Sequence, residues 1–307
     1  MRTLVIGAGA LGGYFGGCLQ RAGRDVTFLV RPPRAEQLAR DGLRIVSPHG
    51  DFTVPAPAVL AGHIGEPFDL VLVTVKSYSL NEAMEQFAPA VGPATSILPI
   101  LNGMAHIDSL RARFGEDRVI GGTVIIVAAL DAEGRIVLSL PNHDLTYGEL
   151  AGGTSDRTGA LAEFFAGAGF NARASDMILQ DMWEKWTALA AFAGITCLMR
   201  ASIGDILAAP RGRDAILALF DECRAVATAS GFAPRPAIVD FSMGVFTRAG
   251  SPLKASMLRD IERGAVTEGE HILGDMATRA RGLGITTPIV DLARTHVAAY
   301  ETSRQAR

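Results

Sequence analysis

Six residues near the start of this 307-residue chain, Gly7-Ala8-Gly9-Ala10-Leu11-Gly12, constrain its fold more than any other segment. An apolar run, Thr3–Gly7, leads into them, and a second strand-like run, Asp25–Val30, follows about a helix length later. The order predicts strand, tight turn, helix, strand, which is the frame of a dinucleotide site. Gly7 permits the sharp turn. Gly9 lacks a β-carbon, so the backbone can approach a pyrophosphate. Gly12 lets the first helix close on the strand. Ala10 and Leu11 open that helix, whose free N–H groups and positive dipole end face the phosphates. A plain glycine-rich turn would not need a strand on both sides. The stretch Leu4–Leu19 has the apolarity of a signal peptide, but its glycines, the single Arg2 before it and the strand after it argue against targeting.

The residue closing the second strand chooses between the two nicotinamide dinucleotides. An Asp or Glu there would accept hydrogen bonds from the ribose 2′-OH of NAD. This chain has Arg31, with Arg34 three residues on. Two guanidinium groups suit a 2′-phosphate, so the expected cofactor is NADP(H). Pro32 and Pro33 are read as stiffening the loop that carries them.

The chain is 49% hydrophobic and 20% charged, with a net charge of −3 and no basic run. That balance argues against nucleic acid or a membrane as partner, and a small molecule is expected instead. Cys18, Cys197 and Cys223 are scattered, without a CxxC, and read as buried thiols of a cytoplasmic protein. None of the six histidines stands at metal-ligand spacing, so no metal is expected.

Strand patterns fill the first half: Thr3–Gly7, Asp25–Val30, Asp69–Lys76, Ser96–Leu101, Val119–Ala129 and Arg135–Leu140. Leu43–Val46 and Phe52–Val54 read as a small hairpin insert. A helix is expected around Leu161–Gly167. From Asp176 onward the patterns are helical: Ile178–Arg200, Gly204–Ala208, Asp214–Ser230, Ala237–Thr247, Leu253–Arg263, Thr267–Arg281 and Ile289–Ser303. The expected fold is α/β, an N-terminal Rossmann-type doubly wound sheet followed by an all-helical C-terminal domain. The boundary falls near residues 170–176, giving 1–172 for cofactor binding and 173–307 for substrate and catalysis.

Ligands in such sheets bind beyond the carboxyl ends of the strands. Two strands end in polar residues, Lys76 and Asn102-Gly103. Without chemistry these are a solvated strand end and a tight turn. Lys185 lies on a predicted helix between Trp183 and Trp186. Desolvation there would lower its pKa toward the range of a proton donor, whereas on a solvated face it would only snorkel. Ser256 opens another helix, Gly264 can end it in a left-handed cap, and Thr267-Glu268-Gly269-Glu270 reads as a capping box. In one straight helix Ser256 and Glu268 would stand about 18 Å apart. A turn between two helices allows them to converge.

Together these pieces resemble the ketopantoate reductase family (2-dehydropantoate 2-reductases). The resemblance rests on GAGALGGYFG, Arg31, VTVK ending at Lys76, LNGM at Asn102, WEKW at Lys185, SMLRDIERG at Ser256 and TEGEHILG at Glu268. It implies an NADP-dependent oxidoreductase acting on a 2-oxo acid, with a place in pantothenate biosynthesis, as a monomer or homodimer. By position it implies that Lys185 is the general acid and that Glu268 orients it. Ser256 and Asn102 would hold the substrate carboxylate, and Lys76 would lie near the nicotinamide ribose and the substrate. Asn102 and Glu268 would also border the cofactor.

The chain departs from its apparent family at three places. Asparagines usual four and eight positions after the lysine are replaced by Leu189 and Ala193, and one usual three before the serine by Leu253. An apolar pocket offers a substrate hydroxyl no partner. Open alternatives are therefore a reductase of a more apolar 2-oxo compound, or an NADP(H)-binding sensor without turnover. A β-hydroxyacid dehydrogenase would carry an asparagine where Leu189 stands.

Overall fold

The computed structural model describes residues 1–306. Its contacts divide the chain into two units. One comprises residues 1–101 with 106–178, the other residues 102–105 with 179–307.

In the first unit, β1 (Arg2–Ile6) leads through the glycine turn into α1 (Ala10–Arg21), then β2 (Asp25–Leu29), α2 (Pro32–Asp41), β3 (Leu43–Val46), β4 (Phe52–Val54), β5 (Ala58–Val59) and β6 (Leu70–Val73). The chain continues through α3 (Leu80–Phe87), β7 (Ser96–Pro99), α4 (Ala105–Phe114), β8 (Gly121–Leu130), β9 (Ile136–Gly148), α5 (Asp156–Phe165) and β10 (Asn171–Ala174). The strands β5-β2-β1-β6-β7 form an all-parallel sheet. All four residues of β6 are fully buried, as a strand covered on both faces must be. Strand order reverses between β1 and β6, where Ile6 pairs with Val73, and beyond such a reversal is where parallel sheets of this kind bind ligands.

The expected hairpin forms, β3 antiparallel to β4, but it is no insert. It belongs to a second sheet, β10-β9-β3-β4, with β8 antiparallel along β9. Here β9 runs well past Leu140 to Gly148, and β10 lies where only a boundary was expected. Helix α1 lies against both sheets. A β-carbon at Gly16 would strike Phe28 of the first sheet, whereas one at Gly13 or Gly17 would strike Ile136 or Ile45 of the second.

Two expectations are corrected at α2 and β6. Pro32 and Pro33 occupy the first turn of α2 rather than a loop, where a missing N–H costs nothing. The strand expected over Asp69–Lys76 ends at Val73, because Thr74 turns its hydroxyl back onto the Ile6 carbonyl at 2.7 Å.

The second unit is helical: α6 (Ile178–Met199), α7 (Ile203–Ala208), α8 (Gly212–Ala229), α9 (Pro236–Phe246), α10 (Ser256–Glu262), a π-helical turn at Glu270–Gly274, α11 (Asp275–Gly282) and α12 (Pro288–Gln305). The helix expected from Leu253 starts at Ser256. The carbonyls of Ser251 and Leu253 are already taken by the N–H groups of Gly204 and Ile203. Gly264 adopts φ +70°, the left-handed stop expected of it. The expected capping box does not form. The Thr267 N–H donates to Glu301 at 2.7 Å, and Glu270 pairs with Arg294. No helix among the described residues is long and apolar enough to cross a membrane.

Candidate functional site

The glycine turn joins β1 to α1 at the reversal of strand order. Gly7 has φ +93°, a conformation that a side chain would strain. A β-carbon at Gly12 would collide with the Gly7 carbonyl and with Thr74 Oγ1, so helix and strand approach as only glycine allows. At Gly9, the N-cap of α1, a β-carbon would meet nothing within 4 Å, so open space lies before the helix N-terminus. No acidic residue occupies the first turn of α1, and no side chain caps it. Its first N–H groups are left for an anion.

Arg31 and Arg34 have different occupations. Arg31 is exposed at the N-cap of α2 and pairs with the exposed Glu82 carboxylate at 2.8 Å. Such a pair holds little energy and can exchange partners. Arg34 turns inward. Its Nε donates to the Ala8 carbonyl at 3.1 Å, and its Nη1 donates to Gln37 and to the Gly134 carbonyl. Its Nη2 is buried without an acceptor among the described residues. Open space at Gly9 and an unsatisfied cationic donor beside the glycine turn fit a dinucleotide. Lys76 is exposed and caps the short helical turn Ser77–Ser79, just past the end of β6.

The second unit assembles another cluster. Lys185 Nζ donates to Asn102 Oδ1 at 3.1 Å, joining α6 to the short segment 102–105. Burial pushes the Lys185 amine down to about 8, against the opposing pull of the Glu268 charge. Glu268 itself is 7% exposed. His271, three residues on, bonds to the Asn102 backbone, and its imidazole lies so close that a β-carbon at Gly103 would fall 2.8 Å from its Cδ2. Burial lowers the imidazole pKa, while the Glu268 and Asp275 charges oppose that shift.

The residues flanking Lys185 lock its helix in place. Trp186 is buried, and its Nε1 donates to the Ile272 carbonyl at 3.2 Å. Trp183 stacks on Phe232 at 5.5 Å, and the Arg279 guanidinium covers both indoles. Burial works against the Glu184 charge, yet hydrogen bonds from Arg235 hold the carboxyl below its usual range. A fixed ammonium beside a carboxylate and an amide can stabilise charge developing on a carbonyl oxygen and then protonate it.

Asn102, Lys185 and Glu268 thus meet in one unit. Ser256 is the exposed first residue of α10. Gly7, Gly9, Ala10, Leu11, Gly12, Arg31 and Lys76 all belong to the other unit. The sequence reading missed Thr74, which closes the glycine turn, and His271. A polar residue inside the apolar run Leu70–Val75 was the available signal for Thr74. No local pattern marked His271.

Similar proteins give this geometry its context. The family profile described as "Ketopantoate reductase PanE/ApbA" matches residues 3–152, and its C-terminal counterpart matches residues 177–301. An uncharacterized oxidoreductase, YkpB of Bacillus subtilis, is 38% identical over 99% of this chain and all of its own. A 2-dehydropantoate 2-reductase of Archaeoglobus fulgidus is 30% identical over 92% of each chain. The crystal structure of a 2-dehydropantoate 2-reductase from Geobacter metallireducens superposes with a TM-score of 0.88 at 31% identity, covering 97% of this chain and 99% of that one. The chain belongs to the ketopantoate reductase family and is an oxidoreductase of that NAD(P)-dependent family.

Proposed function

We propose that the protein reduces a 2-oxo acid to a 2-hydroxy acid with NADPH, the substrate being 2-dehydropantoate or a close relative. The carrying observation is the Lys185 amine, lowered to about 8, held by Asn102 and facing the Glu268 charge. A reduced nicotinamide, when bound, supplies a hydride to an acceptor carbon. The glycine turn and the α1 N-terminus hold its pyrophosphate, with Lys76 nearby on the same crevice. Arg31 favours a 2′-phosphate over a hydroxyl, exchanging its exposed contact with Glu82 for a doubly charged partner. Lys185 stabilises the growing negative charge on the substrate oxygen and then donates its proton. Glu268 keeps the amine charged and oriented, while Asn102 and Ser256 offer hydrogen bonds to the substrate carboxylate. Because the donor is the protonated amine, turnover falls as pH rises through about 8.

A second reading, a more apolar 2-oxo acid, is favoured by Leu189 and Leu253. Where the family usually carries asparagine, Leu189 is half-buried and Leu253 is 43% exposed.

The test is NADPH oxidation over 2-dehydropantoate, pyruvate, 4-methyl-2-oxopentanoate and phenylglyoxylate, with NADH in parallel. Turnover of 2-dehydropantoate, faster with NADPH, is the expected result. Faster turnover of the branched or aromatic acids selects the second reading. Tight NADPH binding with no turnover on the whole panel rejects both in favour of a sensor.

A further inference from the structure

We propose that His271 is a positioning residue for the Lys185 amine, acting through the Asn102-Gly103 turn. The proposal rests on the reading of Lys185 as proton donor. Lys185 keeps its amide acceptor only while Asn102 Oδ1 stays within hydrogen-bond reach, 3.1 Å away, and that depends on the backbone of a turn outside both sheets. His271 grips this backbone twice. Its imidazole bonds to Asn102, and it packs on Gly103, which sits at φ +82° with no room for a side chain.

The placement of His271 adds to this. It lies in the π-helical turn that follows Glu268. The next residue, Ile272, accepts the hydrogen bond of Trp186, the neighbour of Lys185. One irregular helical turn therefore holds three things at once: the Glu268 backbone, whose carbonyl accepts from the Ile272 N–H at 2.9 Å, the Asn102 turn, and the Trp186 indole of α6 beside the amine. The charged groups facing His271 are Glu268 and Asp275, and Lys185 lies across Asn102. A leucine at 271 would preserve bulk and lose the grip. A glutamine would keep a donor and an acceptor at similar reach.

The experiment measures the reaction of the Lys185 amine with trinitrobenzenesulfonate across pH in the full-length protein, read by peptide mass spectrometry. It needs neither cofactor nor substrate. In His271→Leu the midpoint moves down by about half a unit or more, because the charged amine loses its acceptor. In His271→Gln it returns toward the wild-type value. Gly103→Ala, which pushes the imidazole away from the other side, gives the same downward shift. On whichever 2-oxo acid the wild type reduces, kcat of His271→Leu falls roughly tenfold to a hundredfold, with the KM for NADPH unchanged. Wild-type titration curves in both His271→Leu and Gly103→Ala overturn the proposal. If His271→Leu does not fold, the Gly103→Ala and His271→Gln curves decide alone. A shifted midpoint in a protein that reduces nothing keeps the role of His271 and removes the reductase reading.

Discussion

The glycine turn of the first unit and the lysine cluster of the second achieve opposite things with their side chains. At Gly7, Gly9 and Gly12 the chain removes them, so backbone N–H groups stand open and helix meets strand directly. At Lys185, Asn102, Glu268 and His271 it gathers polar groups and takes the amine out of water. The first device is steric and should ignore pH. The second is electrostatic, and every change in it should appear in a titration.

The hardest test of the contrast is Lys185→Ala. On the proposed mechanism it lowers turnover by about 10²–10⁴-fold while NADPH affinity stays within about threefold. Steady-state rates and fluorescence titration of NADPH check this, and a variant that lost affinity along with turnover would merge the two regions into one function. Next in size is Gly12→Ala. Its methyl collides with the Gly7 carbonyl and the Thr74 hydroxyl and crowds Val5, so urea denaturation should show a loss of about 3 kcal/mol at every pH. A loss confined to one pH range would mean that the turn is electrostatic after all.

The smallest effect concerns His143, where the first unit also buries a titrating group. Tyr14 Oη bonds to its Nδ1 at 2.8 Å, and His49 stacks on it at 3.9 Å. Burial first, then the His49 charge, lowers its pKa, with Asp144 opposing. The unfolded chain therefore takes up the proton more readily. The contribution of this group to stability is complete above its ordinary pKa of about 6.5 and is lost as pH falls below it. Urea midpoints between pH 7.5 and 5 should fall less steeply in His143→Gln. Parallel slopes would mean that burying His143 contributes nothing to the pH dependence of stability.

How much of this was readable follows from the same contrast. The glycine turn, the buried β6 and the helical second half are local patterns, and the sequence carries them in plain order. The second sheet was hidden because β9 continues through Asn142-His143-Asp144, and all four residues of β10 are exposed, so neither offers an apolar run. Lys185 could be suspected from its tryptophans, Asn102 from its place at a strand end and Glu268 from the helix break before it, with their roles implied by resemblance. Their meeting with His271 could not be seen, because the contacts span some 80 residues and more and depend on a turn that leaves the first half of the chain to join the second unit. The inward turn of Arg34 was hidden for a similar reason: two of its acceptors, the Ala8 and Gly134 carbonyls, are remote in sequence.

Helix α1 carries four glycines in twelve residues, about 1 kcal/mol each against forming a helix alone. It is held instead by Phe28 on one side and by Ile45 and Ile136 on the other. In kinetic terms this predicts a late helix, its N-terminus and anion seat forming only once both sheets have docked, with low φ values for substitutions in α1. A partly folded chain has no seat to offer, so dinucleotide binding doubles as an assay for completion of the first unit, and cofactor present during refolding pulls on the last step rather than the first.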